Sequence, residues 1–138
     1  MANDLPAVLQ IIYTAYREKR LGDVMAHFAD DFRFTLHLSA ELVPGAGKPQ
    51  DKVGTAKLLE GLMATYDFLV YEPGPISITG DGAKVHPRIH YRHKATGEEI
   101  ETTLGHFWRF RDGKVVQLDE YHDVERVRFF LMKVAAAD

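Results

Sequence analysis

The sequence predicts a single α+β domain in which one antiparallel sheet folds over three helices. Its 138 residues are 46% hydrophobic and 27% charged, the size and composition of one globular domain, here assigned to residues 1–138. Three segments of the first half have helical spacing, and four strand-like segments with short connections precede a closing helix. That order favours an antiparallel sheet over regular alternation of strands and helices.

Apolar residues spaced by three and four positions predict the helices. Asn3 or Asp4, followed by Pro6, is a start signal for the first of them. The second is short and ends near Asp30 and Asp31. The predicted helices cover about 5–20, 21–30, 51–66 and 124–134.

Alternation of apolar and polar residues predicts the strands. The first is the clearest, because Phe32, Phe34 and Leu36 alternate with polar residues. Glycine-containing turns separate the later strands. The predicted strands cover about 32–38, 70–79, 84–94, 99–111 and 114–123. The segment 43–52 is rich in Pro and Gly, which predicts a loop able to act as a lid.

Charge and cysteine content exclude several classes of function. Lys and Arg number 17 and Asp and Glu 20, so the net charge is −3 and no nucleic-acid partner is expected. The absence of cysteine excludes disulfides, iron–sulfur clusters and thiolate nucleophiles. The sequence has no glycine-rich phosphate-binding motif and no credible metal-ligand set, so we expect neither a nucleotide cofactor nor an essential metal.

The N-terminal segment and the hydropathy of the chain bear on its location. The first residues carry no positive charge, and the apolar positions after them are interrupted, unlike a secretory signal. No segment approaches the apolar length of a membrane span. We therefore expect a cytoplasmic protein without a membrane partner.

Alternation along the last three strands sorts their side chains onto two faces. One face is polar and charge-matched, because His90 and Arg92 come to lie across from Glu99 and Glu101. His86 shares this face, but at strand rise it lies about 13 Å from His90, too far for one metal ion. We expect this face to be solvated or to contact another subunit.

The opposite face is apolar except for three titratable side chains. Its apolar members are Val85, Pro87, Ile89, Tyr91, Leu104, Trp108, Phe110, Val116 and Leu118. Glu120 and His122 lie side by side on one strand, and His106 lies on the neighbouring strand. Burial of such groups is costly unless they are paired, and a Glu/His pair in an apolar cavity is typical of proton transfer. The alternative is a structural hydrogen bond that closes the core.

Aromatic and aliphatic residues are expected to surround these groups and to contact a substrate. Tyr16 falls on the inward side of the first helix, with its hydroxyl expected at the rim of the cavity. The predicted substrate-contacting residues are Tyr16, Phe34, Leu36, Leu59, Met63, Tyr91, Leu104, Trp108, Leu118 and Phe130.

Residues near the end of the chain carry a resemblance to a known family. The run His106–Val116 (HFWRFRDGKVV) is its most specific part, and Glu120–Asp123 (EYHD) and Phe28–Asp31 (FADD) add to it. Together they resemble SnoaL-like or ketosteroid-isomerase-like members of the nuclear-transport-factor-2-like superfamily, over nearly the whole chain in element order. The resemblance implies a curved antiparallel sheet wrapped around the helices, a cone-shaped pocket and a homodimer.

The resemblance also assigns roles to single residues. His106 falls where ketosteroid isomerases place the protonated Asp of the oxyanion hole, and Glu120 where SnoaL-like cyclases place an acid/base Asp. Leu36 stands near the position of the isomerases' proton-abstracting Asp, and Ile12 near that of their oxyanion-hole Tyr, so a true ketosteroid isomerase is not expected. Pro87 and Ile89 stand where limonene-epoxide-hydrolase-like enzymes have Arg and Asp, which leaves the hydrolase set incomplete.

Two hypotheses for the function stay open. In the first, the protein is a cofactor-free acid/base enzyme of isomerase, cyclase or hydrolase type for a small, apolar, cyclic substrate. Glu120 then abstracts a proton next to a carbonyl, His106 stabilises the enolate oxygen, and His122 tunes or relays the proton. In the second, the chain is a non-catalytic small-molecule-binding protein or a dimeric interaction module of the same fold.

Overall fold

A computed structural model describes residues 4–137 and shows helices in the N-terminal half, a curved sheet and a C-terminal helix. The helices are α1 (Leu5–Arg17), α2 (Leu21–Met25), α3 (Lys52–Thr65) and α4 (Val124–Ala137). The strands are β1 (Phe28–His37), β2 (Tyr66–Glu72), β3 (Ile76–Thr79), β4 (Gly82–Val85), β5 (Arg88–His93), β6 (Glu99–Thr103), β7 (Gly105–Arg111) and β8 (Lys114–Tyr121). The predicted α+β fold class is confirmed. Both ends of the predicted domain, and the candidate cap Asn3, lie outside the described residues.

Capping residues set the ends of the long N-terminal helices. Asp4 and Asp51 accept backbone hydrogen bonds of 3.2 and 2.8 Å at the start of α1 and α3. The first helix ends at Arg17 and not at the predicted Arg20, because Lys19 adopts a left-handed backbone conformation with a φ of 60°. Among residues 4–137, no helix has the length and hydrophobicity needed to cross a bilayer.

The second helix is shorter than predicted, and the first strand is longer. The helix ends at Met25, and β1 already begins at Phe28. Phe28 fits both periods, since it follows Val24 at a helical interval and precedes Phe32 at an even interval typical of a strand. Packing decides between them, because Phe28 and Phe32 are both buried and their rings stack with centroids 4.3 Å apart.

The strands pair in two groups. One has the order β1-β8-β7-β4-β3, and the other has the order β2-β5-β6. The predicted strands 84–94 and 99–111 are each interrupted, at Pro87 and Leu104, where the Leu104 amide donates a 2.8 Å hydrogen bond to the Pro87 carbonyl. Proline has no N–H for a strand ladder, which explains the break. The strand pairs are antiparallel, apart from β1 and β8, which run parallel.

An extra residue in β8 sets which side chains meet on the inner face. Arg111 pairs with Lys114 around the predicted two-residue turn, and the register then shifts at a bulge between Arg109 and Phe110. Val115 is therefore fully buried in place of Val116, which the alternation had predicted to face inward. Without this bulge Glu120 would lie opposite Gly105, whereas in the structure it lies opposite His106.

The loop between β1 and α3 is hydrogen-bonded to β1. The backbones of Phe34 and Gln50 exchange two hydrogen bonds of 2.9 and 2.7 Å, and the Gly47 amide donates to the Leu36 carbonyl at 2.8 Å. Ala46 is buried in this contact. The predicted loop therefore packs on the strand that lines the cavity, and its role as a lid stays a prediction.

Candidate active site

A cavity of about 170 Å³ lies between the helices and the sheet, with mostly apolar and aromatic walls. Most of the residues that the sequence predicted to contact a substrate line it. They are Tyr16, Phe34, Leu36, Leu59, Tyr91, Leu104, Trp108, Leu118 and Phe130. Met63 is the exception: it is buried in the core but is not among the residues that line the cavity, and its backbone carbonyl accepts a 2.8 Å hydrogen bond from Lys19 Nζ.

Three titratable side chains of the sheet meet at one wall of this cavity. Glu120 Oε1 lies 2.7 Å from His106 Nε2, and Glu120 Oε2 lies 2.8 Å from His122 Nε2. The side chains are 3% exposed for His106, 18% for Glu120 and 14% for His122. The structure thus brings together the three residues that the sequence singled out, with the carboxylate held between two imidazoles.

Tyr13 extends this network, a position that the sequence pattern did not predict. Its hydroxyl lies 2.6 Å from His106 Nδ1 and accepts a 3.0 Å hydrogen bond from Trp108 Nε1. The sequence pattern predicts the pocket hydroxyl at Tyr16 instead, one helical turn along α1. Tyr13 shares the buried side of the helix with Ile12, and a buried hydroxyl needs a polar partner, which is the signal that could have identified it.

The two imidazoles differ in what remains free on each ring. Both nitrogens of His106 have protein partners, Tyr13 and Glu120. His122 uses Nε2 for Glu120, and its buried Nδ1 has no hydrogen-bond partner among the described residues. In this arrangement His106 has no free N–H for a substrate oxygen, whereas His122, which also lines the cavity, keeps one unused ring nitrogen that is buried.

Hydrogen bonding controls the charge of Glu120. Burial by itself raises the pKa of this carboxyl, because desolvation penalises the charged form. The hydrogen bonds from His106 and His122 oppose burial, and the pKa of Glu120 is held well below its usual range. Burial also raises the pKa of Tyr13 above its ordinary value, so its hydroxyl keeps its proton. The wall therefore contains a carboxylate and a neutral phenol, with the His106 ring between them.

The outer face of the sheet carries ion pairs that solvent can reach. His90 Nε2 lies 2.6 Å from Glu99 Oε1, as the charge matching predicted. Arg92 binds Asp67 on the other side of β5 at 2.8 Å, because β5 lies between β2 and β6. Within residues 4–137, no group of three or more His, Asp or Glu side chains is arranged to hold a metal ion.

Solved structures share this fold at low sequence identity. IdmH of Streptomyces antibioticus, for which polyketide cyclase activity is suggested, is 20% identical, with a TM-score of 0.78 over 94% of this chain and 99% of that one. AclR of Streptomyces galilaeus, for which hydroxylase activity is suggested, is 18% identical, with a TM-score of 0.78 over 96% and 98%. An LEH-like epoxide hydrolase of M. tuberculosis is 15% identical, with a TM-score of 0.71 over 95% and 91%. The shared fold therefore accompanies three different named activities.

A family model gives the sequence relationship directly. No curated protein matches the sequence significantly. The family model described as a SnoaL-like domain matches residues 9–118, from α1 into β8, which includes His106 and ends just before Glu120. Another solved structure that superposes on the chain, from Catenulispora acidiphila, is described as having a ketosteroid isomerase-like fold; it is 13% identical, with a TM-score of 0.73 over 88% of this chain and 89% of that one. The chain belongs to the SnoaL-like family.

Proposed function

We propose that the protein is a cofactor-free acid/base enzyme that moves a proton next to a carbonyl group of a small, apolar, cyclic substrate. The observation that carries this proposal is the Glu120 carboxylate held between His106 and His122 at the wall of an apolar cavity. A carboxylate with an imidazole is a common proton-transfer pair, and the low-dielectric surroundings strengthen the interaction between them.

The cavity lining supports an uncharged substrate. No Lys or Arg is among the described residues that line it, and Glu120 is its only carboxylate. The aromatic rings of Tyr16, Tyr91 and Trp108 offer flat apolar surfaces, which suit a cyclic molecule better than a flexible chain. A neutral ring with a carbonyl group meets both conditions.

The proposed step balances without a cofactor. The Glu120–His122 pair takes a proton from the carbon next to the carbonyl, and the C–H electrons move onto the carbonyl oxygen to give an enolate. The pair then returns the proton, at the same carbon or at another carbon of the conjugated system. This cycle leaves the protein unchanged and yields exchange or isomerisation.

Thermal shift with candidate ligands is the first test. Wild type and Glu120→Gln are screened against cyclic ketones, polyketide-like aromatics, sterols and epoxides. A ligand at about a hundred times its Kd stabilises by roughly 2.7 kcal/mol, which raises Tm by several degrees. We expect one class to shift wild type, with an altered shift in Glu120→Gln. Glu101→Gln, on the exposed face, is the matched control and keeps the wild-type response.

Proton exchange then tests catalysis without knowledge of the product. The ligand is incubated in D₂O with each protein, and loss of the proton next to its carbonyl is followed by ¹H NMR. Wild type and Glu101→Gln are expected to accelerate exchange, and Glu120→Gln to lose about 10²- to 10⁴-fold of that rate. Full exchange by Glu120→Gln contradicts the proposal.

Binding without turnover is the second candidate function. Leu36, which the resemblance placed near the isomerases' catalytic Asp, lies directly opposite Glu120 in the β1–β8 register, so no second carboxylate is present there. A ligand that shifts Tm in wild type, but whose exchange no variant accelerates, assigns the protein to this class.

A homodimer through the outer face of the sheet also belongs to the proposal. Phe107 and Tyr121 are 41% and 45% exposed on that face, and their rings meet edge to face with centroids 5.6 Å apart. Sedimentation velocity is expected to show a dimer for wild type and a monomer for Tyr121→Glu, and a monomeric wild type contradicts it. The cytoplasmic location stays a prediction.

A further inference from the structure

A chain of hydrogen bonds runs from the core to the candidate base. It begins at Trp108 Nε1, 3.0 Å from the Tyr13 hydroxyl, which in turn lies 2.6 Å from His106 Nδ1. It continues through His106 Nε2 and Glu120 to His122. An indole N–H can only donate, so the direction of the first hydrogen bond is fixed.

The fixed first bond sets the directions of the next ones. The Tyr13 oxygen accepts from Trp108, and the hydroxyl has a single proton to donate. Its nearest acceptor is His106 Nδ1, so that nitrogen carries a lone pair. The proton of His106 is then on Nε2, which donates to Glu120 Oε1.

With these hydrogen-bond directions, His106 does not neutralise the negative charge of Glu120. His122 is the other imidazole that contacts this carboxylate. If His106 carried two protons, its positive charge would neutralise the carboxylate. With one proton on His106, Glu120 remains an uncompensated anion that accepts from His122 Nε2 at 2.8 Å. A carboxylate accepts the proton of that hydrogen bond, so His122 carries its proton on Nε2, and the ring atom without a partner is Nδ1.

We propose that Tyr13 is a positioning residue that confines His106 to a single proton on Nε2, so that Glu120 stays a carboxylate that, paired with His122, takes the substrate's proton. The second half of this inference rests on the proposed function, and the first half does not. It changes one predicted role, because His106 becomes a positioning residue and no longer binds the enolate oxygen.

Tautomer-resolved NMR tests the inference without any substrate. Long-range ¹H–¹⁵N spectra of the labelled full chain at neutral pH show which ring nitrogens are protonated, and His106→Gln and His122→Gln assign the two signals. In wild type we expect a protonated Nε2 and an unprotonated Nδ1 for both residues. In Tyr13→Phe we expect His106 to lose its unprotonated Nδ1 signal, because nothing then donates to that atom.

Tyr71→Phe is the matched control. It removes the same hydroxyl group from a tyrosine whose ring lies 5.9 Å from Tyr13, and both partners of His106 remain. We expect the wild-type pattern in this variant. A wild-type His106 that is protonated on Nδ1 overturns the inference even if Tyr13→Phe does not fold, and so does an unchanged His106 in folded Tyr13→Phe. If the tautomers are as expected but Glu120→Gln keeps full exchange activity, the proposed function fails and the role of Tyr13 in the network stands.

Discussion

The two faces of the sheet carry the same pair of residue types in different surroundings. On the inner face His106 Nε2 lies 2.7 Å from Glu120, and on the outer face His90 Nε2 lies 2.6 Å from Glu99. The side chains are 3% and 18% exposed in the inner pair and 27% and 46% exposed in the outer pair. Water solvates the outer groups whether or not they pair, while the inner groups depend on each other. Contact distance therefore does not distinguish a candidate site from a hydrogen-bonded pair on the surface, whereas burial beside a cavity does.

Deleting Asp119 is expected to have the largest effect on stability. The deletion shortens β8 by one residue, so the side chains on one side of the deletion turn to the opposite face of the sheet. Either Glu120 turns outward and His106 loses its carboxylate, or the bulge is absorbed and Leu118 turns outward while Gln117 enters the core. Both outcomes lower the free energy of unfolding by about 4 kcal/mol or more. Urea denaturation followed by circular dichroism measures the loss.

Two control variants separate the change of face from the loss of a residue. Deleting Val116 removes the extra residue of the bulge and keeps every other pair of the β7–β8 hairpin, so it is expected to cost only about 1 kcal/mol. Asp119→Ala removes the carboxylate that lies 2.8 Å from His37 Nε2 and leaves the strand register unchanged. Equal losses from the two deletions contradict the idea that the bulge brings Glu120 to His106.

The next largest loss of stability is expected when one carboxylate is removed from each face in turn. Glu120→Ala leaves His106 and His122 without their shared acceptor, and we expect the free energy of unfolding to fall by about 3 kcal/mol. Glu99→Ala is expected to cause a much smaller loss, since water replaces the carboxylate at His90. Urea denaturation at pH 7 compares the two, and similar losses contradict the distinction between the faces.

Removing the Tyr13 hydroxyl has a smaller expected effect on stability. Tyr13→Phe leaves the Trp108 N–H and His106 Nδ1 without partners in the core, at a cost of about 2 kcal/mol. Tyr71→Phe, which keeps both of those contacts, is expected to cost less. Thermal and urea unfolding of the two variants provide the comparison, and a larger loss in Tyr71→Phe contradicts the buried hydrogen-bond chain.

Much of the inner face follows from side-chain alternation alone. Because strand residues alternate between faces, the positions of His106, Glu120 and His122 on the apolar side could be predicted from the sequence. Their placement requires only that apolar neighbours face the core. The helical periods likewise predict that Tyr16 of α1 and Leu59 of α3 face inward, but they do not identify the buried Tyr13.

The remaining features depend on tertiary contacts that local patterns do not encode. The bulge at Val116 is one extra residue between two apolar runs, and either of two valines satisfies the alternation. Phe28 fits a helical and a strand period, and only its stacking on Phe32 assigns it to β1. Tyr13 reaches His106 across 93 positions of sequence, so its partner is set by how α1 packs on the sheet.

The smallest expected effect is a difference in the acid dependence of stability between the two faces. Burial raises the pKa of Glu120, but the hydrogen bonds from His106 and His122 outweigh it and hold that pKa well below its usual range. The lowered pKa contributes stability that is fully present above the unfolded-state value of about 4.3 and is lost as pH falls toward the folded-state value. Between these two pKa values, the free energy of unfolding of wild type falls by up to about 1.4 kcal/mol per pH unit more than that of Glu120→Gln, which has no such proton to bind. Urea denaturation between pH 7 and pH 3 measures both slopes. Glu99→Gln is expected to keep the wild-type slope. If Glu120→Gln also keeps it, folding does not lower the pKa of the buried carboxylate, which contradicts the prediction.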